Sequence, residues 1–500
     1  MRHFHTAGWL KHLPLRMQQD LIYPSNGTRN GNQKKALFQE KYSRRLAPHV
    51  RSIQKGMEDK DIQNWLTENN IQEVETIVPD MAGTARGKLI PVEKFTSGSV
   101  IRLPESVFTQ SVTGKFLPDG YINPADRDLL IRPDLTTLKL LPWMKDPTAT
   151  VVNDCFYEDG SNVDISPRQV LKNILQLYRE NGMKPVVAPE LEFYLVQRNT
   201  DPNQVLQTPV GRSGRQETVR RPFSLDALDE FEPIIDQIHS YSDAMNIKID
   251  TLEHEMGTAQ LEINFEHDDP LMICDQVMIF KRLIREAAMQ HGIYATFLAK
   301  PLEDQPGSAM HWHISVVDGD SGKNVFSKSQ DETDTFRGFI AGLQQFTPES
   351  ILFNAPYVNS YRRFQRFQNA PINLCWGYDN RTTGLRVPTS SPENKRVEFR
   401  IGGADVNPYL SIASTLACGY LGIQKSLQPT APEDSNASNM QFNLPKNLST
   451  AIDILRESET MPALMGNRFS QIYVAMKEDE YNEYFQVISP WERENLLLSV

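Results

Sequence analysis

Glu190-Leu191-Glu192-Phe193-Tyr194-Leu195 sets polar and apolar side chains in strict alternation. Successive side chains of a strand point to opposite faces, so one face carries Glu190, Glu192 and Tyr194 and the other Leu191, Phe193 and Leu195. Three more stretches have this form. The polar face is Gln260, Glu262 and Asn264 in Gln260–Phe265, His311, His313 and Ser315 in His311–Val316, and Arg396, Glu398 and Arg400 in Arg396–Ile401. Any one of them fits a sheet with a solvated face. Four faces that supply Glu, His and Arg, rather than a loose mixture of Lys, Thr, Ser and Gln, predict the lining of one concave site.

Charge says what such a site would hold. Glu190, Glu192, Glu255, Glu262 and Glu398 bring five carboxylates and His311 an imidazole. Glu255 lies seven residues before Glu262, which would oppose them on an unbroken strand; Met256-Gly257-Thr258-Ala259 can turn or bulge between them. Clustered carboxylates raise one another's pKa unless cations separate them. Oxygen-rich ligands with one imidazole suit Mg²⁺ or Mn²⁺ better than structural zinc. Residues 362–400 add Arg362, Arg363, Arg366, Arg381, Arg386, Arg396 and Arg400 with a single lysine, Lys395, against Asp379, Glu393 and Glu398. Arginine in that excess fits a bidentate grip on carboxylate or phosphate. Cations and arginines together are the equipment of phosphoryl transfer. Neither a Walker loop nor a kinase glycine loop is present, so ATP would be held in another way.

The chain has 500 residues, too many for one core, and its 39% hydrophobic and 23% charged content excludes a mainly disordered or fibrous protein. Cys155, Cys274, Cys375 and Cys418 lie far apart without a CxxC pair, which argues against a disulfide framework and a cysteine zinc site. No apolar run approaches the roughly 20 residues of a membrane span, and no secretory signal opens the chain, so a cytoplasmic protein is expected. Residues 1–55 hold 11 Lys/Arg against two acids, which leaves 41 basic residues against 61 acidic ones in the remainder. An acidic body disfavours nucleic acid as a partner.

Residues 1–56 read as a basic, polar, flexible extension. A small β-rich domain is expected over 57–159, with a short helix over Asp59–Asn69 and two strands joined by a glycine-containing turn in VETIVPDMAGTARGKLIP. A larger α+β domain is expected over 160–500. Ser166 and Pro167 open its first helix and Gly182 stops it; more helices are expected over Leu225–Met245, Leu271–His291, Thr335–Gln345 and Pro408–Ile423.

The ordered motifs APELEFYL, HEMGTAQLEINF, ATFLAKP with PGSAMHWHIS, NSYRRF, APINLCWGYDNRTTGLRVP and RVEFRIGGADVNPYL make residues 57–500 resemble the glutamine synthetase superfamily. The resemblance implies a β-grasp-like N-terminal domain, a catalytic domain on a curved antiparallel sheet, and self-association into rings, commonly double hexamers, with Asp80 or its turn against the next subunit. By position it implies a first metal on Glu192, Glu255 and Glu262 and a second on Glu190, His311 and Glu398. His313, Ser315, Arg386 and Arg396 would meet ATP. Gly307, Arg363 and Arg400 would hold L-glutamate, Arg381 the transferring phosphoryl group, and Asp80 would stand near the nitrogen nucleophile. The implied reaction phosphorylates the γ-carboxylate of glutamate and then forms an amide.

Two positions depart from ammonia-using members. Asn369 stands where they carry a glutamate before Ala370-Pro371, and it can neither take a proton nor supply charge, which points to an amine larger than ammonium. The motifs DMAGTARGK, GSAMH, NSYRRF and GADVNPYL are similar to those of γ-glutamylpolyamine synthetases. Phe442 stands where many bacterial glutamine synthetases carry a modified tyrosine, and Pro306 replaces the usual asparagine of the glutamate loop. The alternatives are glutamine synthetase itself and, less in keeping with six filled ligand positions, a non-catalytic scaffold of the same fold.

Overall fold

Alternating burial builds two sheets. The computed structural model describes residues 59–118, 120–329, 331–365, 370–441 and 444–500; the extension 1–56, Asn369 and Phe442 lie outside them. After a helix over Asp59–Glu68, the run from Glu73 forms β1 (Glu73–Pro79) and β2 (Ala85–Pro91), an antiparallel hairpin that pairs Glu73 with Pro91 and Pro79 with Ala85. β3 (Ile101–Pro104), β4 (Asp128–Pro133), β5 (Lys139–Leu140) and β6 (Thr148–Phe156) complete a six-stranded sheet in the order β2-β1-β6-β4-β3, with β5 on β6. β6 runs parallel to β1.

A helix over Pro167–Glu180 follows. Ser166 stands at its N-cap but makes no side-chain capping bond. Arg168 is the more consequential residue there. Its guanidinium, 1% exposed, bonds Asp275 at 3.0 and 2.9 Å, Asp154 at 2.5 Å and Asp134 at 2.6 Å. It thereby ties the end of β6 to the helix Pro270–Gln290, which carries Asp275.

The second sheet contains β7 (Met183–Gln197), β8 (Ile249–His254), β9 (Gln260–Phe265), β10 (Ile293–Thr296) and β11 (Met310–Asp318). A separate two-stranded ribbon comes next, β12 (Ser327–Lys328) with β13 (Asp331–Glu332), and then β14 (Trp376–Tyr378), β15 (Leu385–Val387) and β16 (Val397–Phe399). The sheet order is β14-β15-β16-β11-β7-β9-β8, with β10 on the end of β7. Its pairs are antiparallel except β14 with β15. The apolar face is closed: Leu191, Phe193, Leu261, Ile263, Trp312, Ile314, Val397 and Phe399 are all fully buried.

Helices pack behind that face. Those over Asp334–Asn354 and Pro408–Gln424 approach so closely that a Cβ on Gly422 would fall 1.9 Å from the carbonyl oxygen of Gly338. The first of them outruns its expected length through Pro348, because Ile351, Leu352 and Phe353 are wholly buried. The single helix expected over Leu225–Met245 is two, Leu225–Asp229 and Glu232–Ala244. Phe231 leaves helical geometry at φ −110°, and Pro233 starts the second.

Lys281, in the helix Pro270–Gln290, holds the segment after β16: its ammonium donates to the carbonyls of Ala404 at 2.6 Å and Val406 at 3.1 Å. Burial, reinforced by Arg285, pushes this lysine down to about 7. An unfolded lysine titrates near about 10.4, so between roughly pH 7 and 10 the unfolded chain binds more protons and this group's contribution to stability rises with pH. Lys281→Met should lower stability, since two carbonyls lose their donor, and should flatten the rise. Denaturant unfolding of both proteins across that range measures it.

Candidate active site

The hairpin β8–β9 answers the spacing of Glu255 and Glu262. Its register sets Thr251 against Asn264 and Glu253 against Glu262, and the Glu255 N–H donates to the Gln260 carbonyl at 2.8 Å. The turn thus returns both acids to one face. Gly257 sits where a Cβ would meet the Tyr194 hydroxyl at 1.9 Å, and Ala259 takes a left-handed φ of 54°. Buried Glu217 braces this turn by accepting from the Ala259 N–H at 2.7 Å and facing His254 Nε2 at 3.0 Å. His254 Nδ1 faces the Glu255 carbonyl at 2.8 Å.

Across the sheet the acids line up. Glu253, Glu262 and Glu192 form one cross-strand row, and Asn264, Glu190 and His311 the next. Beyond them, Arg386, Glu398 and His313 pair across β15, β16 and β11. One set of ligand atoms, from Glu192, Glu255 and Glu262, lies within 4.8 Å of one another, as does a second from Glu190, His313 and Glu398. Both spacings suit a divalent cation, held by carboxylate oxygens alone in the first set and by oxygens and an imidazole in the second.

In this chain the second grouping takes in His313 with Glu190 and Glu398, and the His311 of the expected set stands beside it within reach of both carboxylates. His313 Nε2 lies 2.6 Å from Glu190 Oε1, whereas His311 Nδ1 lies 3.0 Å from Glu190 Oε2 and 3.8 Å from Glu398 Oε1. Both imidazoles stand on the same face of β11 and address the same carboxylate.

Protonation follows these contacts. Burial, then the charge of Glu255, pushes Glu192 well above the usual carboxylate range. Burial and the charges of Glu190, Glu192 and Glu255 do the same to Glu262. Burial would also raise Glu190, but hydrogen bonds with His311 and His313 overcome it and hold this group far below that range. Glu398 is likewise held low against its burial, chiefly by Arg400, to which it is hydrogen-bonded.

A cavity of about 770 Å³ opens over this face. Glu190, Glu192, Glu255, Glu262 and His311 line it, with Gly307, Arg363, Arg381 and Arg400. Gly307 is required by Arg363, since a Cβ there would fall 2.2 Å from the arginine's Cγ. Arg386 reaches Glu398 at 2.7 Å and Arg396 Nε reaches His313 Nδ1 at 3.1 Å, so these two arginines adjoin the second set. Ser315 lies two residues along β11, opposite Val186. A groove of about 720 Å³ between the helices Leu448–Glu457 and Asn467–Phe485 contains no such ligand set among the described residues.

Asp80 is not brought to the cavity. Its carboxylate is fully buried in its own turn, where it accepts from Thr84 N–H at 2.8 Å and Arg86 Nε at 2.7 Å. Asn407 of the same chain donates to its carbonyl at 2.9 Å. Within this chain the carboxylate thus holds its own turn together, while the role expected of Asp80 is toward a neighbouring subunit.

Several residues of the site went unassigned in the sequence. Gln260 bonds Glu192 Oε2 at 2.9 Å and Asn264 bonds Glu262 Oε1 at 3.1 Å; both stand on the polar face already read for β9. Glu253 and Phe223 also line the cavity. The signal for Glu253 was its place two residues before Glu255, on the same side of β8.

Fold and site together define a ligase family. The glutamine synthetase catalytic-domain model matches residues 164–496. A γ-glutamylputrescine synthetase, PuuA, of Escherichia coli (strain K12) is 34% identical over 442 residues, 86% of this chain and 92% of the relative. A glutamate–isopropylamine ligase from Pseudomonas sp. is 30% identical over 448 residues, 86% and 96% of the two chains. Among solved structures, a GmaS–ADP complex superposes with a TM-score of 0.74 at 26% identity, covering 87% of this chain and 98% of that one. The chain belongs to the glutamine synthetase family and has its α+β fold. Its class is that of an ATP-dependent glutamate–amine ligase.

If Glu192, Glu255 and Glu262 gather a cation, Glu262→Gln should have opposite effects in two states. Without metal, Gln neither repels its neighbours nor has to take up a proton to avoid doing so, and the melting temperature should rise. With Mn²⁺, the stabilising increment should shrink and affinity should fall about tenfold, near 1.4 kcal/mol. Thermal melts across a Mn²⁺ titration read both.

Proposed function

We propose that this enzyme joins L-glutamate to a primary amine larger than ammonia, activating the γ-carboxylate with ATP. The observation that carries the reading is the juxtaposition of two three-ligand sets on one sheet face, the first wholly and the second through Glu190 lining a cavity with Arg363, Arg381 and Arg400. Glu192, Glu255 and Glu262 would hold one divalent cation, and Glu190, His313 and Glu398, with His311 adjoining, another. Mg²⁺ or Mn²⁺ there would offset the charge of the phosphate oxygens.

The chain's own groups do the positioning. Arg363 and Arg400, buried against the cavity floor, grip the carboxylate of glutamate, and Gly307 leaves room for it. Arg386 and Arg396, with His313 and Ser315, form the nucleotide side. Arg381 faces the transferring phosphoryl group and spreads its charge. A γ-carboxylate oxygen bonds to the terminal phosphorus as the bond to ADP breaks. The neutral amine nitrogen then bonds to the γ-carbonyl carbon, the acyl–oxygen bond to phosphate breaks, and a base takes the surplus proton from nitrogen. The replacement of a charged residue by Asn369 supports an amine larger than ammonium, as do the two amine-ligase relatives. Ring assembly with neighbouring subunits belongs to the same reading.

Phosphate release with ATP, Mg²⁺ and glutamate, measured against ammonium, isopropylamine, ethanolamine, butylamine and putrescine, tests it. Organic amines should support turnover well above ammonium and yield the γ-glutamyl amide by mass. Turnover with ammonium alone would make the enzyme a glutamine synthetase instead.

A further inference from the structure

Every backbone carbonyl from Asp304 to Ala309, the segment leading into β11, accepts a hydrogen bond. Arg220 donates to Asp304, Lys300 to Gln305, the Tyr194 hydroxyl to Pro306 at 2.8 Å and Gln260 Nε2 to Gly307 at 3.1 Å. The N–H groups of Ala404 and Glu192 donate to Ser308 and Ala309 at 3.0 Å each. A connecting segment ordinarily leaves many of these groups to water. Here the protein supplies a partner at each position, and the segment becomes a fixed part of the cavity wall, which Pro306, Gly307 and Ala309 line. Lys300 is anchored in turn: its N–H donates to Asn359 Oδ1 at 2.8 Å and its carbonyl accepts from Asn359 Nδ2 at 2.9 Å, in the chain just before Arg363.

Gln260 is the side-chain donor that also touches an acid of the first ligand set. It stands opposite Tyr194 across β9 and β7 and is buried behind the cavity lining. Its Nε2 lies 2.9 Å from Glu192 Oε2, 3.1 Å from the Gly307 carbonyl and 3.4 Å from Ser308 Oγ. Its Oε1 accepts from the Gly257 N–H at 2.8 Å, in the turn between Glu255 and Glu262. A side-chain amide has two N–H groups and one carbonyl, and all are engaged, so it cannot turn without breaking a bond at Glu192, at Gly307 or in that turn. Glu192 Oε2 takes a second bond from the Ala309 N–H at 2.9 Å. This oxygen is therefore joined to Gly307 through Gln260 and to Ala309 directly.

We infer that Gln260 is a positioning residue that couples the first cation set to the glutamate pocket, so that a cation on Glu192 and glutamate against Gly307 each tighten the other's binding. The inference rests on the ligase reading above. A cation that draws Glu192 into place fixes Oε2, and with it the Gly307 carbonyl and the Ala309 N–H. Gly307 packs so closely on the stem of Arg363 that a Cβ would fall 2.2 Å from the arginine's Cγ, so a fixed glycine also fixes the guanidinium that grips glutamate. Glutamate settling on the same wall orders Gln260 and Glu192 in return, because coupling between two ligands is reciprocal.

The test is Mn²⁺ binding, followed by the paramagnetic resonance of the free ion, without ATP or amine and with glutamate either absent or saturating. At the site weakened by Glu262→Gln, glutamate should tighten Mn²⁺ about tenfold in the wild-type enzyme, and Mn²⁺ should lower the Kd of glutamate by the same factor. Gln260→Met, of similar length but without the amide, should reduce that factor to about twofold or less and weaken Mn²⁺ about tenfold. Gln260→Asn, which keeps the amide on a shorter stem, should fall between the two and carries the reading if Gln260→Met does not fold. Tyr194→Phe releases the Pro306 carbonyl but leaves Gln260 on Glu192; it should weaken glutamate about threefold and keep the coupling factor. A factor unchanged in the Gln260 variants, with both affinities merely falling, would make Gln260 a structural residue and overturn the inference, as would an equal loss of the factor in Tyr194→Phe. Independent binding of Mn²⁺ and glutamate by wild-type enzyme would overturn it too, while leaving the ligase reading intact. A wild-type enzyme that binds neither would remove both.

Discussion

Mutual repulsion among carboxylates on one sheet face is the constraint on which the rest depends. Two unit charges 4.8 Å apart at an effective dielectric near 20 repel by about 3.5 kcal/mol. Three such pairs in the set of Glu192, Glu255 and Glu262 come to roughly 10 kcal/mol, comparable with the whole stability of a typical domain. Burial and like charge shift Glu192 and Glu262 toward their protonated forms, which relieves part of this repulsion. The second set escapes differently, by supplying imidazoles and arginines. One half of the site is therefore built to attract cations, and the other comes with part of its counter-charge in place.

That tension needs a rigid support, and the sheet's other face supplies it. Each acid alternates with a fully buried apolar residue, so no strand can slip by one residue without exposing the core and burying a charge. The turn bearing Glu255 lies outside this interlock and receives its own brace from Glu217 and His254. Lys281 does the equivalent for the segment after β16. Buried ionic groups at both margins hold backbone rather than substrate.

The strands of the site were legible because a period-two pattern encodes both the face and its chemistry. The order β16-β11-β7-β9 was not, since it depends on which polar faces pair, and that emerges only with register. The same limit explains the histidines. His311 and His313 share a face and both reach Glu190, while the pairing of Glu398 opposite His313 emerges only with register. A turn aspartate that binds its own backbone, as Asp80 does, and one that faces a substrate read alike in sequence. The division of Leu225–Met245 came from Pro233, whose fixed φ and missing N–H favour a helix start over continuation.

Glu253 shows why the remainder of the cavity escaped a reading by motif. Every acid found by alternation sits in a stretch whose opposite face is apolar, and β8, at the sheet edge, offers little of that contrast: Asp250 and Thr251 are exposed and Glu253 is half-buried. An edge strand is released from the demand of two-sided packing, so its side chains can answer to ligand rather than to fold. Interior strands, by contrast, hold their acids in register through the core, as β7, β9 and β16 hold Glu190, Glu192, Glu262 and Glu398. Chemistry common to a family and specificity peculiar to one member can then change independently, because different physical constraints hold them.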